Sequence, residues 1–214
     1  MILKNYYFYY INAIPKSLCN DIIKEGKLHQ PQPGLIGGVT GKDGKQIQNT
    51  QEKLEAKRKS NVSFFSFEWI YKELHPFVKL ANENAGWNFQ WDYSESVQYT
   101  EYGPGQHYDW HADSWHQPYK PEHRNPDYRG KIRKLSMTLS LTEPEEYEGG
   151  NLEFDLRNDK DYDFEKGSSK VLCTEIRPKG SIVIFPSFIW HRVTPVTKGM
   201  RQSLVMWTLG YPFK

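Results

Sequence analysis

Cysteine is scarce in this chain: Cys19 and Cys173 are the only two in 214 residues, and they form no Cys-x-x-Cys pair. That excludes a disulfide framework and the usual zinc spacings, and it points to a reducing compartment. No run of about 18 apolar residues occurs, so no segment reads as a membrane-spanning helix. Charge of one sign is missing too. Lys and Arg total 28 against 26 Asp and Glu, a net charge of +2, which gives none of the basic field expected of a nucleic-acid binder. The segment from Met1 to Ile14 lacks the basic start and small-residue cleavage site of a signal peptide. A soluble, cytoplasmic protein is the expectation.

Aromatic residues, by contrast, are plentiful at 15%, alongside 16 Gly and 13 Pro. Such a length suits one domain over residues 1–214 with a sizeable core. Residues 1–90 read as an N-terminal strand, two helices and a loop. The strand is the β-prone start from Met1 to Ile14, with Tyr6, Tyr7, Phe8, Tyr9 and Tyr10. Leu18, Cys19, Ile22 and Ile23 recur at helical spacing after Pro15 and stop near Gly26. Residues 30–60 carry Pro31, Pro33, Gly37, Gly38, Gly41 and Gly44 and then a charged stretch, the pattern of a mobile loop leading into a polar segment. A second helix starts near Ser66, buries Trp69, Ile70, Leu74, Phe77, Val78 and Ala81, and should bend or break at Pro76.

Residues 91–214 change character to short β-prone runs divided by Gly, Pro and Asn. About eight strands are expected, near 94–102, 107–113, 134–142, 150–155, 171–177, 180–185, 189–194 and 201–209. The fold class is therefore an all-β core with flanking helices (α+β): a double-stranded β-helix, or jelly roll, braced by the N-terminal helices. The stretch from Trp115 to Gly130, rich in His, Pro and Tyr, reads as a lid.

Two segments carry the chemistry. His111-Ala112-Asp113 places an imidazole and a carboxylate at i and i+2, one face of an extended strand. With His191 as a third ligand, the set becomes two imidazoles and one carboxylate, which suits a non-haem Fe(II) oxygenase site. His107-Tyr108-Asp109 has the same spacing on the same nominal face, and spacing alone does not choose between the pairs. The second segment runs from Gly180 to Ser203. An apolar strand, a turn and a returning strand bring in His191, and a further turn sets Arg201 and Ser203 on one face. A guanidinium fork with an adjacent hydroxyl matches a carboxylate such as that of 2-oxoglutarate.

These segments resemble the Fe(II)/2-oxoglutarate dioxygenases of the prolyl 4-hydroxylase type, and within them the PKHD-type hydroxylases. The likeness rests on Tyr102-Gly-Pro-Gly-Gln106-His-Tyr-Asp-Trp-His111-Ala-Asp113, on Leu135 through Gly149-Gly150-Asn151-Leu152, and on His191-Arg-Val-Thr-Pro-Val-Thr-Lys-Gly-Met-Arg201. It covers residues 99–209. The resemblance selects His111 and Asp113 over His107 and Asp109. It implies a single dioxygenase domain that uses Fe(II), 2-oxoglutarate and O2, with ascorbate as a reductant. It also implies Arg201 as the 2-oxoglutarate anchor, Tyr102 and Ser203 as further contacts, and Leu135 and Thr138 as pocket walls. Asn151 stands where relatives usually carry Glu, and the stretch from Trp115 to Arg129 is longer than in compact relatives, so substrate choice is expected to differ.

The implied reaction hydroxylates an unactivated C–H with release of succinate and CO2. Asp113 favours hydroxylation over halogenation, which would need a Gly or Ala there to open a position for halide. The leading substrate is a prolyl residue in a peptide or protein, held in a groove lined by Trp110, Trp115 and Tyr119. The alternatives are a free amino acid or small metabolite, and a non-catalytic metal-binding jelly-roll interaction module. Nucleic-acid dealkylation is disfavoured because Trp207 occupies the position where those relatives place a second Arg. No membrane partner is expected, and the oligomeric state is left open.

Overall fold

The computed structural model describes residues 3–34, 55–114, 117–156 and 170–213. Most of the loop expected at 30–60, and Trp115 of the expected lid, lie outside the described residues. Within them, fifteen strands and two long helices, α1 (Lys16–Leu28) and α2 (Glu68–Asn84), build the fold.

The larger sheet is antiparallel. It runs β1 (Phe8–Tyr10), β12 (Ile182–Pro186), β8 (Ile132–Ser140), β15 (Arg201–Gly210), β6 (Val97–Tyr102), β4 (Asn61–Phe65) and β2 (Gln32–Pro33), with β5 (Tyr93–Ser94) paired to the end of β15. A second antiparallel sheet runs β11 (Lys170–Cys173), β10 (Leu152–Asp155), β13 (Trp190–Val193), β7 (His107–His111) and β3 (Arg58–Lys59). A short two-stranded antiparallel sheet of β9 (Tyr147–Gly149) and β14 (Val196–Gly199) stands beside them. Together they form the expected jelly roll.

The strands of the larger sheet have two unlike faces, and this places the site. Val97, Tyr99, Met137, Leu139, Ile182, Ile184, Leu204 and Met206 are buried in one core with Cys19 and Ile22 of α1 and Ile70, Leu74, Val78 and Ala81 of α2. Their alternates on β6, β8 and β15 include Gln98, Thr138, Arg201, Ser203 and Trp207, which face a cavity between the sheets. Beside that cavity, Leu152, Phe154, Val183, Phe185 and Ile189 make a smaller apolar core. Each fully buried Leu- or Ile-sized side chain contributes roughly 2 kcal/mol, so the helix-backed face carries much of the stability. The opposite face is left free for polar chemistry.

Four expectations need correction. Helix α1 continues past Gly26 to Leu28, because Gly26 lies in the helix with its Cα against the Tyr99 ring, where a Cβ would collide. Helix α2 runs through Pro76 as one element, so of the two outcomes expected there the break does not occur. Pro76 and Lys72 are both exposed, so the carbonyl freed by the missing N–H can be hydrated. Residues 196–199, expected within a turn, are a strand paired with β9, and residues 61–65, to which no element was assigned, pair with β6. Leu135 belongs to the helix-backed core and does not wall the pocket.

Candidate metal centre

His111 ends β7 and His191 lies on β13, and the two are direct cross-strand partners. Asp113 reaches them differently from the strand alternation expected of i and i+2. It sits in a bend just beyond β7, and its N–H donates to Ser187 O at 2.9 Å. One ligand atom from each of the three residues lies within 4.8 Å of the others. His111 Nε2 is 3.7 Å from Asp113 Oδ1, and His191 Nε2 is 3.6 Å from Asp113 Oδ2. Both separations are too long for hydrogen bonds.

Hydrogen bonds behind the rings fix what they present. His111 Nδ1 bonds Asp109 O at 2.8 Å and His191 Nδ1 bonds Ile189 O at 3.0 Å. A carbonyl oxygen only accepts, so each Nδ1 carries the proton and each Nε2 offers a lone pair towards the carboxylate. Burial holds the His111 imidazole below its ordinary pKa, with His191 adding to the effect. Burial opposes ionisation of Asp113, but the adjacent imidazoles, Arg133 and the Ser136 hydroxyl outweigh it and hold the carboxyl low. Two imidazole Nε2 atoms and a carboxylate thus converge on one point. A divalent cation with open positions fits that donor set, and Fe(II) is the expected choice.

The rival pair is placed elsewhere. His107 Nε2 donates to Ala56 O at 3.0 Å, and Asp109 pairs with Lys57 at 2.9 Å. The β7–β13 register shifts between His111 and Tyr108, a bulge that puts both on the inner face with their rings stacked at 3.5 Å. Trp110 is therefore turned to the outer face, under Arg192 at 4.8 Å, and does not line the cavity. Tyr119 stands behind the cavity wall, its hydroxyl donating to Glu95 Oε1 at 3.0 Å. Residues 117–130 pack through this bond and through Tyr128 against Tyr93, so the described part of the expected lid is docked against β5.

The cavity is about 300 Å³ and takes in the three candidate ligands, Tyr102, Arg201 and Ser203. Arg201 is 3% exposed and pairs across strands with Tyr102. Its Nη1 donates to Ser203 Oγ at 3.3 Å, and among the described residues it has no carboxylate partner. A buried guanidinium left so is costly until an anion joins it.

Three lining residues escaped the sequence reading. Arg58 on β3 is buried, stacks over Tyr108 at 4.5 Å and leaves Nη2 without a partner among the described residues. Arg133 is held by Glu95 through two 2.7 Å bonds and covers the Trp207 ring at 3.8 Å. Trp207 Nε1 is a second buried donor without a partner among the described residues. Arg58 hides in a charged run that reads as a solvated face, and only its pairing with β7 brings it inward.

Comparison with known proteins agrees with this geometry. A PKHD-type hydroxylase of Klebsiella pneumoniae is 34% identical over 109 residues, 51% of this chain and 41% of the relative. One of Hyphomonas neptunium is 45% identical over 73 residues, 34% of this chain and 27% of the relative. The chain spans about two fifths or less of these relatives' length. Among solved structures, a Pseudomonas putida prolyl-4-hydroxylase aligns with TM-score 0.61 at 18% identity, covering 96% of this chain and 92% of its own. A viral collagen prolyl hydroxylase from Paramecium Bursaria Chlorella virus-1, solved with 2OG, aligns with TM-score 0.60 at 18% identity, covering 97% of each chain. The 2OG-Fe(II) oxygenase superfamily profile matches residues 97–209, just over half of the chain and the span that holds every candidate ligand, so the chain belongs to that superfamily.

Proposed function

We propose that this chain hydroxylates a prolyl residue in a peptide or protein. His111, Asp113 and His191 bind the iron, and Arg201, with Tyr102 and Ser203, anchors 2-oxoglutarate. Bound iron and 2-oxoglutarate would supply the oxidation: one atom of O2 leaves in succinate as CO2 is released, and the other becomes the new hydroxyl. Arg201 neutralises the distal carboxylate of the co-substrate, and burial of Tyr102 raises its phenol pKa, keeping it a donor. Leu152, Val193 and Val205 line the cavity with apolar surface and limit water there.

One observation carries the prolyl reading. Among the described residues the cavity wall offers donors without a partner, Arg58 Nη2 and Trp207 Nε1, while Asp113 is the one carboxylate that lines it. A prolyl segment is the matching ligand, because proline keeps its carbonyl acceptor and has no N–H to satisfy. A free amino acid would bring an ammonium, and among the described residues the one carboxylate lining the cavity is that assigned to the metal. The fold-sharing prolyl hydroxylases, one of them solved with a peptide fragment, support the same class. Both cysteines are free and buried, in keeping with a reducing, cytoplasmic setting.

The test is 2-oxoglutarate turnover with Fe(II) and ascorbate in the presence of synthetic proline-rich peptides, read with intact peptide mass. The expected result is stimulated succinate release and a gain of one oxygen on the peptide. Stimulation by free proline or lysine and not by peptides would reassign the substrate. No succinate under any condition, coupled or uncoupled, would favour a metal-binding interaction module.

A further inference from the structure

Residues 117–130 leave the second sheet after β7 and return to start β8. At their neck Tyr119 N–H donates to Lys131 O, and Gly130 N–H donates to Tyr119 O, both at 2.9 Å. This two-bond clasp fixes the Tyr119 backbone. The Tyr119 ring also meets Tyr128 edge-on at 5.0 Å and His123 at 5.4 Å. From that anchored base the hydroxyl reaches Glu95 Oε1 at 3.0 Å.

Glu95 is itself 7% exposed, and both its oxygens receive N–H bonds from Arg133 at 2.7 Å. The bidentate pair sets the plane and position of the guanidinium, which lies over the Trp207 ring. Arg133 and Trp207 both line the cavity, whereas Tyr119 and Glu95 do not. The contacts thus form one unbroken relay from the 117–130 segment to the cavity wall. Burial, and Glu95 beside it, push the Tyr119 phenol up to about 12, so it remains a donor to the carboxylate at neutral pH.

We propose that Tyr119 is a specificity-determining positioning residue: through Glu95 it fixes the Arg133 guanidinium on Trp207, and so sets the donor geometry that an acceptor-rich, extended peptide must match. Tyr119 touches neither the metal centre nor the substrate. It acts because a buried carboxylate held by three donors is oriented, whereas one held only by Arg133 can swing with its partner. The proposal rests on the peptide reading above for the identity of the ligand. The relay itself does not depend on it.

The experiment compares Tyr119→Phe, Glu95→Gln and the double variant with the parent protein. In the Zn(II)- and 2-oxoglutarate-loaded protein, the indole N–H resonance of Trp207, identified by its loss in Trp207→Phe, is expected to shift in Tyr119→Phe. Metal and 2-oxoglutarate affinities are expected to stay within about twofold, while KM for a synthetic proline-rich peptide rises about 5- to 20-fold with kcat changed less than about threefold. The double variant should be no worse than the more severe single one, since both cut the same relay. A Trp207 resonance that stays in place, or single effects that multiply in the double variant, overturns the proposal. If Glu95→Gln does not fold, Tyr119→Phe still decides through the resonance and the KM. If the parent turns over no peptide, the peptide reading fails, and a shifted Trp207 resonance still upholds the relay.

Discussion

His111 and His191 face each other across β7 and β13 with ring centroids 4.2 Å apart. Each ring is tied by Nδ1 to the carbonyl two residues before it, Asp109 or Ile189. That shared device turns both Nε2 atoms towards Asp113. Burial and the neighbouring His191 also make the His111 ring resist a second proton.

Metal-free protein should therefore lose stability in mild acid. His111 has a folded pKa held below its ordinary value by burial and by His191, so below about pH 6.5 the unfolded chain binds a proton that the folded chain refuses. Stability is fully present above that pH and falls as the pH drops towards the folded pKa, by up to about 1.4 kcal/mol per pH unit for one such group. Thermal midpoints of the metal-free protein at pH 7.5 and 5.5 measure this. In His111→Gln the slope should shrink, and an unchanged slope would place the titrating group elsewhere.

The convergence of His111, Asp113 and His191, with Arg201 in the same cavity, was legible in the sequence because each sits in a short motif whose residue types have few other uses together. The manner of assembly was not. Strict alternation puts His107, Asp109, His111 and Asp113 on one face, but the bulge at Tyr108–His111 and the bend at Asp113 break it. A bulge depends on the partner strand, which lies some eighty residues away. The helices and the long strands were readable from their apolar period. Strands β4, β9 and β14 were not, since they are short and carry Asn, Ser, Glu or Gly that read as turns. Trp110 was assigned to a groove on residue type alone, and the same bulge turns it outward.

Ser136 should govern metal affinity without touching the metal. Its hydroxyl, fully buried on β8, donates to Asp113 Oδ2 at 2.7 Å and lies 2.9 Å from Ser187 Oγ. Removing it leaves the carboxylate free to rotate, and losses behind a metal ligand typically cost about 10- to 100-fold in affinity. Titration of Ser136→Ala with Fe(II) or Co(II) should show a loss of that order. Affinity equal to the parent's would mean that the Ser187 backbone alone orients Asp113.

The two glycines of the β9 turn should fail in different ways. Gly149 and Gly150 both have positive φ, 72° and 57°, a region that costs other residues about 1 kcal/mol or more. A Cβ on Gly149 would strike the Pro195 carbonyl oxygen, which is backbone, whereas one on Gly150 would come within 2.9 Å of Arg201 Cδ and Val196 Cγ2. Gly149→Ala is thus expected to lower the melting temperature more, and Gly150→Ala to weaken 2-oxoglutarate more. Thermal melts paired with 2-oxoglutarate titrations read the two effects apart, and a reversed order would deny Gly150 its place beside the anchor.

Arg201 offers a test in which stability and binding should move apart. It is 3% exposed, and its one side-chain hydrogen-bond partner among the described residues is Ser203 Oγ, which leaves its buried charge without a carboxylate among them. Replacing such a charge with an apolar residue of similar length is often neutral or stabilising by about 1 kcal/mol or more. Arg201→Met should therefore leave the melting temperature of the ligand-free protein unchanged or raised. The same substitution should weaken 2-oxoglutarate by about 100-fold or more, since it removes the buried partner of a carboxylate. Arg201→Lys keeps the charge but loses the planar fork, and an intermediate loss of about 10-fold is expected. Calorimetric titration of the Zn(II)-loaded variants with 2-oxoglutarate, set beside melts of the free proteins, measures both sides. A variant with a lowered melting temperature that still binds 2-oxoglutarate as the parent does would show that the guanidinium serves the β6–β15 pairing and not the ligand.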